Sequence, residues 1–235
     1  MKPVAIFRHS PTEGPGYFSH YLEERGVAWR LIRVDAGDLV PEDPGAFAGL
    51  VFMGGPMSVN DPLPWIVPTL ALIRRAVDSG VPVLGHCLGG QLMSEALGGS
   101  VTRNPVKEIG WGPVAIAPDA EAGRWFGERA GFLSFHWHGE TFTIPSGAMR
   151  LASSAHCENQ AFALGPHLGM QFHVEMTPQM IRTWAAAGAD EIAAARSSPA
   201  VQTSAEMETD LEPRTAELHA VARAVYDRWL QGLAR

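Results

Sequence analysis

Short apolar runs alternate with amphipathic segments through the first hundred residues of the chain. Runs rich in β-branched residues predict strands at Pro3–Phe7, Trp29–Val34, Leu50–Met53 and Val81–Leu84. Apolar residues at helical spacing predict helices, each followed by a glycine, at Tyr17–Arg25, Trp65–Ser79 and Leu88–Leu97. Strands and helices that alternate at these lengths form βαβ units. We therefore expect an α/β fold with a mostly parallel central sheet and helices on both faces.

The pattern changes between Ser100 and Glu175, where short strand-like runs dominate. These runs are Val114–Ala117, Phe132–Trp137, Gln160–Leu164 and Gly169–His173. They predict a small antiparallel strand region that extends the sheet or decorates it.

The remainder of the chain is expected to be helical after Thr177-Pro178. The segment Ala216–Leu230 carries apolar residues at helical spacing, and the polar segment Arg196–Glu212 before it is a loop or a short helix. Because there is no repeat, linker or low-complexity tract, we expect one domain over residues 1–235. A C-terminal helical extension would cover about residues 196–235.

The composition narrows the function classes. The 235 residues carry a net charge of −7, with acidic residues scattered and no basic stripe, which argues against a nucleic-acid partner. No apolar run is long enough for a membrane span, and the apolar start is too short for a secretory signal. Two cysteines cannot form a disulfide framework. We therefore expect a cytoplasmic protein in which a reactive thiol can persist.

A candidate nucleophile lies between a predicted strand and a predicted helix. The segment from Gly85 to Gln91 reads GHCLGGQ, with Cys87 flanked by small residues that suit a sharp turn. A cysteine at the start of a helix experiences the positive end of the helix dipole, which favours the thiolate. The backbone N–H of Leu88 is free in the first turn and can point toward a developing oxyanion. Cys157 lies in a polar stretch without a base pattern and is interpreted as structural.

A base for this thiol is predicted at the end of the last strand-like run. The segment MQFHVE ends in His173 and Glu175, and residues two apart on a strand project from the same face. One carboxylate can therefore hold the imidazole while its other nitrogen faces the thiol. His9, His20, His156 and His167 are assigned to loops or to the surface.

Together these motifs resemble the class I, triad-type glutamine amidotransferases, and particularly the amidotransferase domain of GMP synthase. The residues that carry the resemblance are GHCLGGQ, QFHVE, the MGGPMS loop at residues 53–58 and FHWHGE at residues 135–140. The resemblance spans roughly residues 3–185 and implies a flavodoxin-like arrangement. Position 86 is His where the family often has an apolar residue, and position 174 is Val rather than Pro. Neither departure is expected to touch the chemistry.

The resemblance also implies roles for individual residues. Cys87 would attack the side-chain amide of glutamine, His173 would act as base and acid, and Glu175 would hold His173. The backbone N–H groups of Gly55 and Leu88 would form the oxyanion hole. The substrate would be bound by Gln91, Met57, His136, Trp137 and His138.

Several alternatives stay open. Stand-alone members of the family include γ-glutamyl peptidases, so the substrate is glutamine or another γ-glutamyl compound, and a synthetase partner could accept the ammonia. A dienelactone-type α/β-hydrolase also uses a similar cysteine turn, but its acid precedes the histidine in the chain. A non-catalytic regulatory subunit is disfavoured by the complete Cys, His and Glu set. His136 and His138 could bind a metal, yet no third ligand has suitable spacing nearby, so neither a metal nor a cofactor is expected.

Overall fold

A ten-stranded sheet runs through the protein, which is described by a computed structural model for residues 2–233. The ends of the predicted domain, Met1, Ala234 and Arg235, lie outside the described residues. The strands are β1 (Val4–Arg8), β2 (Trp29–Arg33), β3 (Gly49–Phe52), β4 (Val83–His86), β5 (Val101–Ile116), β6 (Gly131–Phe142), β7 (Met149–Ser153), β8 (Ala161–Leu164), β9 (His167–Met170) and β10 (Ala200–Val201). The helices are α1 (Tyr17–Glu24), α2 (Ile66–Asp78), α3 (Leu88–Ala96), α4 (Ala120–Phe126), α5 (Pro178–Ala187), α6 (Ala189–Ala194), α7 (Ser204–Glu208) and α8 (Leu211–Leu230).

The sheet has a parallel half and an antiparallel half. Its strand order is β10-β5-β7-β8-β9-β4-β3-β1-β2, and β6 pairs with β5 outside this path. The pairs β2-β1, β1-β3, β3-β4 and β4-β9 are parallel. The pairs from β9 through β8 and β7 to β5 are antiparallel, as is β5-β6. The expected α/β fold with an added antiparallel region is therefore confirmed.

Helices cover both faces of the parallel half, which is why its strands are continuous apolar runs. In β1, Val4 and Ile6 join an apolar cluster that includes residues of α1 and α8, whereas Ala5 and Phe7 join a cluster with residues of α2 and α3. Successive side chains of a strand point to opposite faces, so a strand buried on both faces needs apolar residues at every position. Each large side chain buried in this way contributes about 1.5–3 kcal/mol to folding.

The C-terminal helix is an integral part of this core. It begins at Leu211 rather than at the predicted Ala216, and its apolar stripe is buried as predicted. Trp229 packs so closely on Gly49 of β3 that a Cβ there would lie 2.7 Å from the indole. Tyr226 meets Phe18 of α1 edge to face, with ring centroids 4.7 Å apart. The helix thus continues the packing of one face of the sheet.

The middle of the chain differs most from the sequence-based expectation. The predicted short strands at 114–117 and 132–137 are parts of two long strands, β5 and β6, that pair along most of their length. Pro105 and the glycines of β5 interrupt its apolar pattern, and the register shifts between Arg103 and Glu108. The sequence patterns also missed α4 and β7. The Asp119 side chain caps the N-terminus of α4 by accepting a hydrogen bond from the Ala122 N–H.

Within residues 2–233, every helix is too short or too polar to cross a membrane.

Candidate active site

Cys87 occupies a strained turn between β4 and α3. Its φ of 50° and ψ of −108° lie in a region that residues with side chains rarely adopt. Glycine is required beside it, because a Cβ at Gly89 would overlap the carbonyl group of Phe52 in β3. The Cys87 N–H donates a 2.8 Å hydrogen bond to the carbonyl oxygen of Met170, which fixes the turn against β9. The predicted strand–turn–helix geometry is therefore present.

The turn brings the thiol to the wall of a cavity. Cys87 is only 6% exposed, and its Sγ atom lies 3.7 Å from the carbonyl oxygen of Trp137 and 3.5 Å from Nε2 of Gln171. The sulfur also lies at the N-terminal end of α3, a nine-residue helix whose dipole stabilises negative charge there. This environment suits a thiol that reacts as its thiolate.

His173 and Glu175 form a close buried pair beside the thiol. Their Nδ1 and Oε1 atoms are 2.6 Å apart, and each side chain is 1% exposed. Burial alone would lower the pKa of His173. The charge of Glu175, together with the hydrogen bond and charge of Cys87, outweighs burial and holds that pKa well above its usual value. The arrangement stabilises a protonated imidazole beside the carboxylate of Glu175.

The segment that carries His173 is not the strand that the sequence predicts. Strand β9 ends at Met170, and His173 follows it in an isolated antiparallel bridge to Phe135 of β6. The His173 N–H donates a 2.9 Å hydrogen bond to the Phe135 carbonyl oxygen. Trp184 of α5 meets the imidazole edge to face at a centroid distance of 4.9 Å. Contacts from β6 and α5, rather than a strand ladder alone, orient the imidazole of His173.

The second oxygen of Glu175 faces His86 of the nucleophile turn. His86 Nε2 lies 3.7 Å from Glu175 Oε2 and 3.3 Å from the hydroxyl of Tyr226 in α8. Burial lowers the pKa of His86, so its ring is neutral. The expectation that position 86 lies away from the chemistry is wrong, because the turn points its side chain at the carboxylate behind His173.

The loop after β3 is anchored by His9. Its Nδ1 atom donates to the carbonyl oxygens of Met53, at 3.0 Å, and Gly54, at 3.3 Å. Burial lowers the pKa of His9 to about 4 and keeps the ring neutral. Carbonyl and N–H of a trans peptide point in opposite directions, so this contact turns the Gly55 N–H away from His9. Among residues 2–233, no backbone or side-chain acceptor takes that N–H, which leaves it available to a substrate oxygen.

A cavity of about 780 Å³ borders Cys87 and Gly55. The predicted site residues that line it are Gly55, Met57, Cys87, Gln91, Trp137 and His138. The wall residues that sequence reasoning missed include Glu13, Trp184 and Glu191, which come from a loop and two helices without a motif. It also placed His9 among loop or surface residues, although that side chain is buried behind the glycine loop.

His136 is not brought to the cavity wall. Strand alternation directs it with His138 away from Trp137, and both histidines meet Glu108 of β5. The expectation that no third ligand-type residue lies near these histidines is therefore wrong, because the fold brings Glu108 next to them from a distant part of the sequence. Glu108 Oε2 lies 3.0 Å from His138 Nε2 and accepts from Gln160, while Oε1 accepts from Ser154. Both oxygens of Glu108 therefore have partners inside the protein, whereas His136 Nδ1 has no hydrogen-bond partner among residues 2–233.

Cys157 lies in a different chemical environment from Cys87. It is 2% exposed and contacts Thr141 and the carbonyl oxygen of Asn159. Burial raises the pKa of its thiol to about 11. This environment disfavours the thiolate and agrees with a structural role.

Comparison with known proteins places the same segments in one family. A family model described as glutamine amidotransferase class-I matches residues 17–183. The chain is 32% identical to the glutamine amidotransferase-like protein YfeJ of Salmonella typhimurium, covering 85% of this chain and 86% of that protein. The crystal structure of a glutamine amidotransferase from Methylobacillus flagellatus superposes with a TM-score of 0.98 at 43% identity, covering 100% of this chain and 96% of that one.

More distant relatives carry two different names. GMP synthase of Thermomicrobium roseum is 35% identical over 129 residues, which is 54% of this chain and 23% of that protein. Gamma-glutamyl peptidase 3 of Arabidopsis thaliana is 29% identical over 71% of each chain. The shared region therefore occurs both inside a longer synthase and in a protein of similar length.

Proposed function

Because the chain belongs to the class I glutamine amidotransferase family and is an enzyme of the glutaminase type, we propose that it hydrolyses the side-chain amide of glutamine through a γ-glutamyl thioester on Cys87. The observation that carries the proposal is the contact between His173 and Glu175 beside a cysteine held at a strained helix start. A nucleophile, its base and the group that orients the base are the three parts that covalent amide hydrolysis requires.

In the first step, the Cys87 sulfur attacks the amide carbon as its thiolate. The imidazolium of His173 then donates its proton to the leaving nitrogen, the C–N bond breaks and ammonia departs. The negative oxygen of the tetrahedral intermediate would be stabilised by the N–H groups of Gly55 and Leu88. Removing one such donor typically costs about 10²–10³ in rate.

In the second step, neutral His173 takes a proton from water, and the resulting hydroxide attacks the thioester carbon. The C–S bond breaks, glutamate leaves and the thiolate is restored beside the imidazolium. Glu175 holds His173 at Nδ1 in both steps, so that the other ring nitrogen faces the reacting atoms. Gln91, Met57 and the backbone around Trp137 and His138 would hold the glutamyl part of the substrate.

The ammonia would pass to an acceptor on a partner synthetase. The support is the match to GMP synthase, in which the similar region makes up 23% of the protein.

A second candidate is hydrolysis of γ-glutamyl conjugates, with an amine or peptide as the leaving group. Two observations favour it: the similarity to gamma-glutamyl peptidase 3, and a cavity of about 780 Å³. Pockets of about 300–1,000 Å³ enclose drug-sized molecules, which are larger than glutamine. The chemistry at Cys87 would be the same for both candidates.

The test is ammonia release from glutamine by the isolated protein, measured beside glutamate release from γ-glutamyl peptides such as glutathione. Ammonia release supports the glutaminase proposal, and turnover of the peptides alone moves the assignment to the second candidate. If neither substrate reacts, with or without added synthetase, a non-catalytic regulatory subunit replaces both proposals.

A further inference from the structure

The cavity that Cys87 borders is lined by Ser58 and Glu140 and, beside His173, by Glu13 and Trp184. The residues expected to hold the glutamyl group, Gln91 and the segment around His138, lie toward Ser58 and Glu140, whose side chains are joined by a 2.9 Å hydrogen bond. The His173 end of the cavity is the part beside His173, which delivers the proton to the leaving nitrogen. Whatever replaces ammonia as the leaving group must therefore occupy the His173 end.

A carboxylate stands at this end beside the proposed acid. The Glu13 side chain packs on Gly54: a Cβ on that glycine would collide with Glu13 Oε2 and would lie 3.0 Å from His173 Cε1. The carboxylate and the imidazole thus both lie next to the same side of Gly54 and close to each other. Within residues 2–233, the Glu13 carboxylate has no hydrogen bond or ion pair from a protein donor. Burial raises its pKa to about 7, as expected for a carboxylate enclosed without a partner.

The remaining walls at this end are aromatic, and their polar groups are already paired. Trp184 donates its indole N–H to the Thr12 carbonyl oxygen at 2.9 Å, which ties α5 to the loop of Glu13. Trp137 donates its indole N–H to Glu191 at 2.8 Å, and Lys107 pairs with the same carboxylate. Glu13 is therefore the charged group of this end that remains available to a ligand.

We propose that the His173 end of the cavity is a leaving-group subsite for a cationic amine, in which Glu13 binds an ammonium group and Trp137 and Trp184 enclose the carbon chain that carries it. The proposal rests on the hydrolysis proposed above and narrows its substrate class to γ-glutamyl amides of amines with a second, positively charged nitrogen. The Glu13 carboxylate and the rings of Trp137 and Trp184 line the same cavity, a combination that suits an alkylammonium group, which pairs with the charge and with aromatic rings.

The bonds formed and broken, and the proton transferred, are the same as in glutamine hydrolysis. Cys87 sulfur forms the thioester, the C–N bond breaks, and the leaving diamine takes the proton of His173 at the nitrogen that leaves. Water then cleaves the thioester to glutamate and the thiolate. Glu13 transfers no proton in this scheme; it binds the distal ammonium and thereby positions the scissile amide.

The test uses matched γ-glutamyl amides that differ in one terminal group. The amides of 1,3-diaminopropane and 1,4-diaminobutane end in ammonium, and the amides of butylamine and pentylamine replace that group by methyl. At pH 8 an alkylammonium with a pKa of about 10 is still charged. We expect at least one ammonium-ended amide to exceed its methyl-ended partner about tenfold or more in kcat/KM.

Glu13→Gln should abolish this preference by slowing the ammonium-ended amide selectively, whereas Glu217→Gln on the exposed side of α8 should leave it unchanged. Glutamine is measured in parallel to report on the triad itself. If the wild-type protein turned over neither glutamine nor any of the four amides, the proposed function would be refuted. Turnover of glutamine without an ammonium preference in the wild-type protein, or an equal loss for both amides in Glu13→Gln, would overturn the subsite alone.

Discussion

The backbone N–H of Cys87 donates a 2.8 Å hydrogen bond to the carbonyl oxygen of Met170. Met170 is the last residue of β9, three positions before His173. The bond therefore joins the nucleophile turn to the segment that carries the base, although the two lie far apart in sequence. The turn that carries the thiol and the segment that carries the imidazole are therefore fixed to each other through their backbones.

We expect the members of the triad to act as one unit. His173→Ala should lower kcat for amide hydrolysis by at least about 10⁴, nearly as much as loss of the nucleophile, because the thiol loses both its base and the acid for the leaving group. Glu175→Ala should cost roughly a hundredfold less, since His173 keeps its place through the Phe135 bridge. Steady-state kinetics of the two variants checks this order, and the reverse order would contradict the assigned roles.

The two cysteines should differ sharply in reactivity. An electrophile that mimics glutamine should modify Cys87 in the native protein at pH 8, because that thiol borders the cavity at a helix start beside His173. Cys157 should remain unmodified, since burial raises its pKa to about 11. Peptide mass mapping locates the label. Labelling that persists in Cys87→Ala would show that another residue reacts.

His9 should support catalysis without touching the substrate. His9→Phe keeps a ring but removes the donor to Met53 and Gly54, so the Gly55 N–H loses its fixed direction. We expect kcat to fall about 10–100-fold with little change in KM, because the affected donor acts on the transition state. His9→Asn places an amide donor near the former Nδ1 and should recover part of kcat. Equal loss in both variants would indicate a packing role only.

The buried histidines should make the fold sensitive to mild acid. Burial lowers the pKa values of His9, His136 and His167 to about 4. The unfolded chain, with histidine pKa values near 6.5, binds more protons below that pH. Stability is therefore expected to fall as the pH drops from about 6.5 toward 4, by about 2 kcal/mol for each histidine at pH 5.

His167 isolates this effect, because its Nδ1 accepts a hydrogen bond from the Val83 N–H away from the cavity. His167→Gln can keep an acceptor there and does not titrate in this range. Urea unfolding at pH 7.5 and pH 5 should show a loss about 2 kcal/mol smaller in this variant than in the wild type. The raised pKa of Glu13 opposes the trend in both proteins and cancels in the difference. An equal loss in both would contradict a neutral buried His167.

Local patterns were sufficient for the parallel half of the sheet and for the chemistry next to it. Strand β4, Cys87 and helix α3 form one continuous segment, so small residues around a cysteine were enough to predict the turn. His173 and Glu175 were predicted because they lie two residues apart. The contacts that hold these two side chains in place could not be predicted, because the Phe135 bridge and the contact of His86 with Glu175 join segments that are distant in sequence.

The residues that sequence reasoning missed also reach the site through contacts between segments that are distant in sequence. Glu13 lies in a loop before α1, and only packing on Gly54 brings it to His173. The sequence predicts only the end of strand β5, at Val114–Ala117, because a proline and glycines break its alternation, although pairing with β6 holds the strand extended. The position of Glu108 next to His136 and His138 follows from that pairing and could not be found from ligand spacing.

The most direct test of the account compares amide hydrolysis by Cys87→Ala and Cys157→Ala with that of the wild-type protein. Both variants remove one buried sulfur, so a shared effect of lost packing is controlled. We expect that Cys87→Ala releases neither ammonia nor glutamate, whereas Cys157→Ala retains nearly full activity. Persistent hydrolysis by Cys87→Ala, or its loss in folded Cys157→Ala, would contradict the assignment of Cys87 as the nucleophile.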